Sequence, residues 1–406
     1  MIFIKIYKSY TIPIITNKEN MEYLFDCNRE SAKVWNECVR LNKSLWEIEN
    51  KYIERDYLQT KLRNFSKTLP AKAIQIIIKR YISSITGIRK ARKSGRTDLN
   101  YTWKFKNNYN TIWDAMMIKF DYDNDFIFLG RPRCMNKIIN GKQKSNPVRI
   151  KVKNLPKNIV YAEVKYDNGL KLALNYWINS EDMEQVESNN ISAIDLGEIH
   201  TITSFDTLGN SQIITGRRLR SYQRFRNKEL GNIQKKLSKC TKGSRNYKKY
   251  RKAILKLRSK STAKITNELH KTSKVYKNYC LINKIKTVII GDLNNFNMNL
   301  KHKKQKRGTK QKVVQWNNGQ LINMLTYKLA GHGIIVTEIS EAYTSQTCPS
   351  CSNKYKPKSR NYICKCGFTM HRDLVGAYNI LSKHLNDGLI KPLDIKVKPI
   401  KYLRIA

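Results

Sequence analysis

Acidic side chains are scarce in this chain. Against 78 Lys and Arg stand only 31 Asp and Glu, a formal charge of +47 over 406 residues. Solubility does not require that much self-repulsion, so a polyanionic partner is expected, and nucleic acid is the natural one. Long apolar runs are missing too. The opening Met1-Ile-Phe-Ile4 is broken by Lys5 and Lys8, and nothing later reaches the roughly 18 uninterrupted apolar residues that a spanning helix needs. No membrane partner and no export signal are therefore expected, and the expected location is cytoplasmic. Paired spacing is absent from five of the cysteines, Cys27, Cys38, Cys134, Cys240 and Cys280. That argues against a disulfide framework and for a reducing compartment.

Aromatic residues, by contrast, are plentiful: 23 Tyr and 6 Trp lie scattered among the basic positions. Such a mixture suits base stacking beside phosphate neutralisation. The length exceeds one ordinary compact domain, and two to four domains are expected. The remaining cysteines do form a pattern. Cys348-Pro-Ser-Cys351 is answered across a polar loop by Cys364-Lys-Cys366, spacing that lets four thiolates surround one Zn2+. Four ligands close the coordination shell, so this zinc is expected to be structural rather than catalytic. The loop from Ser352 to Ile363 has too little apolar surface to fix its own shape without the ion. Only one residue separates the second pair, and Gly367 is expected to supply the permissive backbone of that tight knuckle.

The order of elements follows from periodicity. A strand runs from Ile2 to Ile15 and breaks at Pro13; Thr16 and Glu19 then have the spacing of a capping box. Leu24, Val34, Trp35, Cys38, Leu41 and Leu45 recur at helical spacing within a helical region from Lys18 to Lys93. Strands follow from Trp103 to Trp177, with hairpins turning at Asp123-Asn124 and at Asp167-Asn168-Gly169 and a strand from Val148 to Val152. These strands are expected to close a small β-barrel with the N-terminal strand. From Ile191 a buried strand ends in Asp195 and Gly197, and two more strands follow, Thr201 to Phe205 and Ser211 to Thr215. The stretch from Gly216 to Lys286 reads as a basic helical hairpin turning at Lys242-Gly243-Ser244, leaving Arg217, Arg218, Arg220, Lys235, Lys248, Lys249 and Arg251 for phosphate. Then come a strand from Thr287 to Ile290, a polycationic loop from Lys301 to Lys312, a helix from Asn318 to Ala330, a strand from Ile334 to Ile339, the cysteine insert, and a helix from Asp373 to His384. A three-strand meander followed by strand and helix in alternation matches the ribonuclease H arrangement.

In that arrangement carboxylates at strand ends and at a helix start meet around divalent ions that activate water for attack on a phosphodiester. Hard oxygen ligands suit Mg2+. Asp195 closes the first strand, and Asp373 opens the last helix, where a helix-dipole charge is its ordinary alternative role.

Four segments carry a specific resemblance: Ile194-Asp-Leu-Gly197, Val288-Ile-Ile-Gly-Asp-Leu293, Glu341-Ala-Tyr-Thr-Ser-Gln-Thr-Cys348 and His371-Arg-Asp-Leu-Val-Gly-Ala-Tyr-Asn-Ile380. They resemble the TnpB (OrfB) proteins of bacterial insertion sequences, related to Fanzor proteins and to type V CRISPR effectors. The sharp motifs lie from residue 191 onward, while the domain order matches over nearly the whole chain. The resemblance implies an α/β multidomain protein with a helical recognition lobe, a wedge β-barrel, and a ribonuclease H-like (RuvC) core with an inserted zinc ribbon. On this reading residues 1–17 and 103–190 form the wedge barrel and 18–102 the helical lobe. The core with its basic hairpin is 191–342, the zinc-bearing insert 343–372, and the closing helix and tail 373–406. An RNA-guided DNA endonuclease is implied, with guide RNA and target double-stranded DNA as partners beside a bacterial nucleoid. One structural Zn2+ on Cys348, Cys351, Cys364 and Cys366 and two catalytic Mg2+ on Asp195, Glu341 and Asp373 are its cofactors. A monomer with its RNA is the expected assembly.

One departure bears on the site. Many members of the family place their second acid where this chain has Gly291, and Asp292 next to it points to the other face of a strand. A subset of the family resembles this chain in having a displaced glutamate. Glu341 is the choice for that role, with Glu338 and Asp292 as rivals. Three other functions compete: an RNA-guided DNA binder that represses without cutting, an acidic-triad transposase on the same fold, and a basic RNA-binding structural protein. The knuckle between the last two acids favours the guided nuclease.

Overall fold

The computed structural model describes residues 5–96, 99, 103–139, 142–179, 183–292, 311, 315–357 and 359–405. The chain divides into two compact units at residues 178/179. The sequence placed this break at 190. It comes earlier because Val186 is buried in the second unit's core, with its backbone N–H donating to His332 O at 3.1 Å.

In the first unit, strand β1 (Lys5–Pro13) leads into helices α1 (Lys18–Glu49), α2 (Arg55–Leu62) and α3 (Ala71–Lys93). The capping residue of α1 is Asn17 rather than Thr16: the Asn17 side chain accepts from the Asn20 N–H at 2.8 Å, and the Thr16 hydroxyl donates to Arg149 O. The helical periodicity holds, since Leu24, Val34, Trp35 and Cys38 are all buried. Strands β2 (Thr111–Asp114), β8 (Ile159–Tyr166) and β9 (Leu170–Asn179) join β1 in one sheet of order β1-β9-β8-β2. Strands β3 (Ile118–Asp121), β4 (Phe126–Leu129) and β7 (Val148–Lys151) make a second, and β5 (Lys137–Ile139) pairs with β6 (Lys142–Lys144). The N-terminal strand does return to the others, yet among the described residues the hydrogen bonding forms separate sheets rather than one closed barrel. A shared apolar core joins them; Trp113, Ile127, Leu129, Ile150 and Val164 are fully buried there. Gly169, at φ +129°, takes the turn between β8 and β9, a backbone state that side-chain-bearing residues avoid.

The second unit is built on a six-stranded sheet. Strands β10 (Asn190–Asp195), β11 (His200–Asp206) and β12 (Ser211–Thr215) are an antiparallel meander, and β13 (Ile285–Asp292) and β14 (Ile335–Ser340) add in parallel beyond β10. Strand β17 (Lys401–Leu403) closes the far edge beside β12, a pairing the sequence did not reveal. Between β12 and β13 stand α4 (Arg217–Leu237) and α5 (Arg245–Ile282), and α6 (Asn318–Ala330) precedes β14. Alternation sorts the strand residues onto two faces. Ile194, Val288 and Ile290 face a core shared with α5 and α6, whereas Ala193, Phe205 and Ile289 face helix α7 (Arg372–Leu385). Leu374, Val375, Ile380 and Leu381 of α7 are wholly buried, each contributing about 1.5–3 kcal/mol. The hairpin β15 (Asn361–Ile363) and β16 (Thr369–His371) belongs to the cysteine lobe ahead of α7. No helix among the described residues is long and apolar enough to cross a membrane. The basic loop from Lys301 to Lys312 lies outside the described residues except for Gln311.

Candidate active site and metal centre

Asp195 has the parity of Ala193, so it stands on the α7 face of the sheet, at the end of β10. There it meets Gly376 of α7, where an added Cβ would sit 3.0 Å from the Asp195 Cγ. Only a residue without a side chain lets the helix approach the carboxylate this closely. Asp373 is the second residue of α7, and Glu341 follows the last residue of β14. The three acids line one cavity of about 280 Å3, with Gly197, His200 and Thr203 from the meander, Thr344 and Gln346 from the segment ahead of Cys348, and Lys356 from the loop between the two cysteine pairs.

Gly291 accounts for the position of Glu341. An added Cβ at residue 291 would lie 2.9 Å from Glu341 Oε2, 3.0 Å from its Cβ and 3.1 Å from Ile380 Cδ1. The glutamate therefore occupies the space that a side chain at residue 291 would fill. The two rivals fall on the wrong parity. Asp292 follows Gly291 and takes the face of Val288 and Ile290, while Glu338 pairs with Ile290 and is exposed. The sequence reading placed Glu338 among buried residues; β14 is instead an edge strand with most of its side chains open.

Electrostatics mark the cavity. Burial, then the repulsion of Asp373 and Glu341, pushes the Asp195 carboxyl up to about 8. Burial, then the charge of Asp292, raises Glu341 to about 7. Asp373 goes the other way. Burial opposes its ionisation, but His200 Nδ1 at 2.8 Å and Arg360 Nη1 at 2.6 Å from Oδ2, with His371 and Arg372 nearby, hold it below the usual carboxylate range. Two carboxyls that resist ionisation beside a third that is fixed as an anion form a donor set suited to a hard cation, which would lower all three.

Sequence reasoning missed several supporting residues. His200 and Arg360 fix Asp373, and the Lys383 Nζ donates to Ser340 O at 3.1 Å and Ala342 O at 2.9 Å, on either side of Glu341. The fully buried Asn379 donates to Thr344 O and Thr347 O, both at 2.7 Å, and so pins the segment after Glu341 to α7. Asn379 lies within and Lys383 just beyond the segment from His371 to Ile380, but neither residue type announces such a role.

The four cysteines expected to bind zinc do converge. Their Sγ atoms all lie within 4.8 Å of one another, with Cys348 to Cys366 at 3.7 Å and Cys351 to Cys364 at 3.6 Å. The edge of a tetrahedron of sulfurs around Zn2+ is about 3.8 Å, from Zn–S bonds near 2.3 Å, so the cluster fits that ion. Gly367, at φ +86°, takes the knuckle turn as its position implied, and its N–H donates to Cys364 O. No disulfide joins any described cysteine.

The fold and these sites together define an α/β protein that gathers three carboxylates in one cavity beside a four-thiolate metal lobe. Comparison with known proteins narrows the class. Residues 175–298 match the OrfB_IS605 family model, described as "Probable transposase", and residues 319–380 match that of the Cas12f1-like TNB domain. Two bacterial relatives carry the name "Putative RNA-guided DNA endonuclease", the second with the suffix InsQ. The Streptomyces pristinaespiralis protein is 31% identical over 188 residues, 45% of this chain and 44% of its own length. The Escherichia coli K12 protein is 28% identical over 170 residues, 38% of this chain and 41% of its own. The chain thus spans less than half the length of these curated relatives. A cryo-EM structure of a Cas12f1–sgRNA–target DNA complex superposes with a TM-score of 0.59 at 14% identity, covering 90% of this chain and 83% of that one. At that identity the likeness is one of fold. The family resemblance read from the four motifs is borne out by these matches.

Proposed function

We propose that this chain is an RNA-guided DNA endonuclease of a mobile element. The six-stranded unit is read as a ribonuclease H-like (RuvC-type) core, the first unit as helical lobe and wedge, and the cysteine lobe as a zinc-bearing insert that contacts the target. A guide RNA paired with one DNA strand supplies sequence specificity, and the protein holds the heteroduplex through its backbone charge. The basic hairpin α4 and α5 suits that task, with Arg217, Lys235, Lys248 and Arg251 distributed along it.

One observation carries the reading: Asp195, Glu341 and Asp373, far apart in sequence, line a single cavity in which two of them resist ionisation. Those three carboxylates would hold Mg2+, which supplies a hydroxide-like nucleophile and neutralises charge on the scissile phosphate. His200 and Arg360 keep Asp373 anionic and oriented, and Lys383 fixes the backbone on both sides of Glu341. The zinc lobe is structural and presents Arg360 to the site.

The family model's description as a transposase favours a second reading, an acidic-triad transposase, against which stand the names of the curated relatives. The test is to sequence RNA that copurifies with the protein and to assay a matching plasmid with Mg2+. A discrete transposon-end RNA and cleavage by wild type and Glu338→Ala, lost in Asp195→Ala and Glu341→Ala, are expected. Strand joining without a guide, or only bulk RNA with no cleavage, would overturn the proposal.

A further inference from the structure

A second cavity of about 570 Å3 opens at the opposite edge of the six-stranded sheet, between β12, β17 and one face of α5. We infer that it binds a single unstacked nucleotide, base inward and phosphate at the rim. This rests on the reading of the chain as a nucleic-acid binder and adds a site for which the acid cavity has no use.

The walls have the chemistry of a base site. Val275 and Ile282 of α5 and Leu403 of β17 are apolar surfaces for a ring plane, and Tyr279 adds an aromatic one. Asn278 and Gln212 bring carboxamides, each offering donor and acceptor together, which is what the edge of a base requires, while the carboxamide of Asn283 is held by Tyr279 O and Asn210. Among the described residues no carboxylate lines the cavity, the nearby Asp206 being engaged by Tyr279 and Asn210, whereas Lys398 and Lys401 do. That favours a phosphate over a cationic ligand.

Two further facts point to an occupant. Gln212, on the α5 face of β12 and only 1% exposed, leaves its Nε2 without a hydrogen-bond partner among the described residues. Unmatched buried polar atoms are costly, and a polar ligand beside them is one way to satisfy them. The rest of the floor is already braced. Tyr279 donates its hydroxyl to the buried Asp206 at 2.6 Å, Asn210 donates to Asp206 at 3.2 Å and to Asn283 Oδ1 at 3.1 Å, and Lys398 donates to Asn210 Oδ1 at 3.0 Å. A site fixed before the ligand arrives loses little on binding.

The test uses the full-length protein with nucleoside 5′-monophosphates, inorganic phosphate, and short single-stranded RNA and DNA carrying a photoreactive thio-base. Monophosphates should bind at least about tenfold more tightly than inorganic phosphate, because the walls add to the charge. Gln212→Leu, close in size and lacking the unmatched amide, should weaken monophosphates about fivefold and leave inorganic phosphate unchanged. The pair Lys398→Ala and Lys401→Ala should weaken both by about tenfold. Photocross-links should map to the peptide from Val275 to Asn283 and vanish in Asn278→Trp, an exposed position whose larger ring fills the cavity without disturbing the core. Cross-linking by RNA alone, or by DNA alone, identifies which strand supplies the nucleotide. Equal affinity for phosphate and monophosphates, or cross-links only elsewhere, would overturn the site. Plasmid cleavage run in parallel separates the two ideas: its loss in wild type would sink the nuclease reading, while the monophosphate titration still decides the pocket.

Discussion

Gly291→Ala isolates the claim that a displaced glutamate serves this site. The new methyl would lie 2.9 Å from Glu341 Oε2, 3.0 Å from Glu341 Cβ and 3.1 Å from Ile380 Cδ1, each closer than ordinary van der Waals contact. Two of these neighbours are flexible side-chain ends that can give way by a few tenths of an ångström, so overpacking here should cost about 1–2 kcal/mol. That corresponds to a fall of a few degrees in melting temperature for a unit of this size, roughly 2–4 °C for each kcal/mol. Activity should suffer far more, because the group that must move is the carboxylate itself. Displacing a reacting-site group by 1 Å costs about a hundredfold, and a shift of half that should cost about tenfold or more. The assay pairs Mg2+-dependent plasmid cleavage with a thermal melt of the same sample. A variant that cuts at the wild-type rate would refute the close approach of Glu341 to β13. The converse variant, Gly291→Glu combined with Glu341→Gly, should recover part of the activity lost in Glu341→Gly alone, since residue 291 shares the face on which Asp195 stands.

Three other outcomes are expected. Without divalent cations, Asp195 and Glu341 hold protons in the folded state up to about 8 and about 7 that the unfolded chain releases near 4, so the folded state binds more protons between those limits. The melting temperature should therefore fall as pH rises from about 5 to 8, and Asp195→Asn should flatten the fall while abolishing cleavage; a flat profile in wild type would contradict the burial argued for the pair. Cys351→Ser should release zinc to a colorimetric chelator and expose the loop from Ser352 to Ile363 to protease, since the polar lobe is expected to depend on the ion for its shape; full protease resistance in the zinc-free variant would show that it does not. Affinity for nucleic acid should drop steeply between low and physiological salt, and neutralising Lys248 and Lys249 together should lower the slope of log affinity against log salt by about 2; an unchanged slope would remove the α5 hairpin from the binding surface.

The parts of the fold that announce themselves locally were legible. Helical and strand periods located α1, the meander, the basic hairpin and α6, because each buries one face and repeats the pattern in its own residues. The cysteine spacing gave the metal centre because four thiolates of one kind at short separations have few other uses. Long-range pairings were harder. Strand β17 carries Lys401, Tyr402 and Leu403, only three residues with no alternation to read, and its place beside β12 depends on a partner almost two hundred positions away. The cap of α1 was misplaced by one residue because Thr16 and Asn17 both favour that position, and the choice fell to Asn17 when the Thr16 hydroxyl found Arg149. Glu338 was placed among buried residues because Ile334 to Ile339 is apolar on both sides of it, whereas burial depends on what covers β14.

The amino-acid sequence alone determined the strong positive charge and the four-cysteine cluster, and it singled out Asp195 and Asp373 as candidates, because composition and short spacings need no knowledge of the third dimension. Which glutamate joins those acids was decided only in the folded protein. Three candidate residues differ there in strand parity and in the space left by Gly291, and the pleat of the sheet with its packing against α7 admits Glu341 and turns Asp292 and Glu338 away. The same packing set the charge on the site, since His200 and Arg360 come to Asp373 from two other segments of the chain.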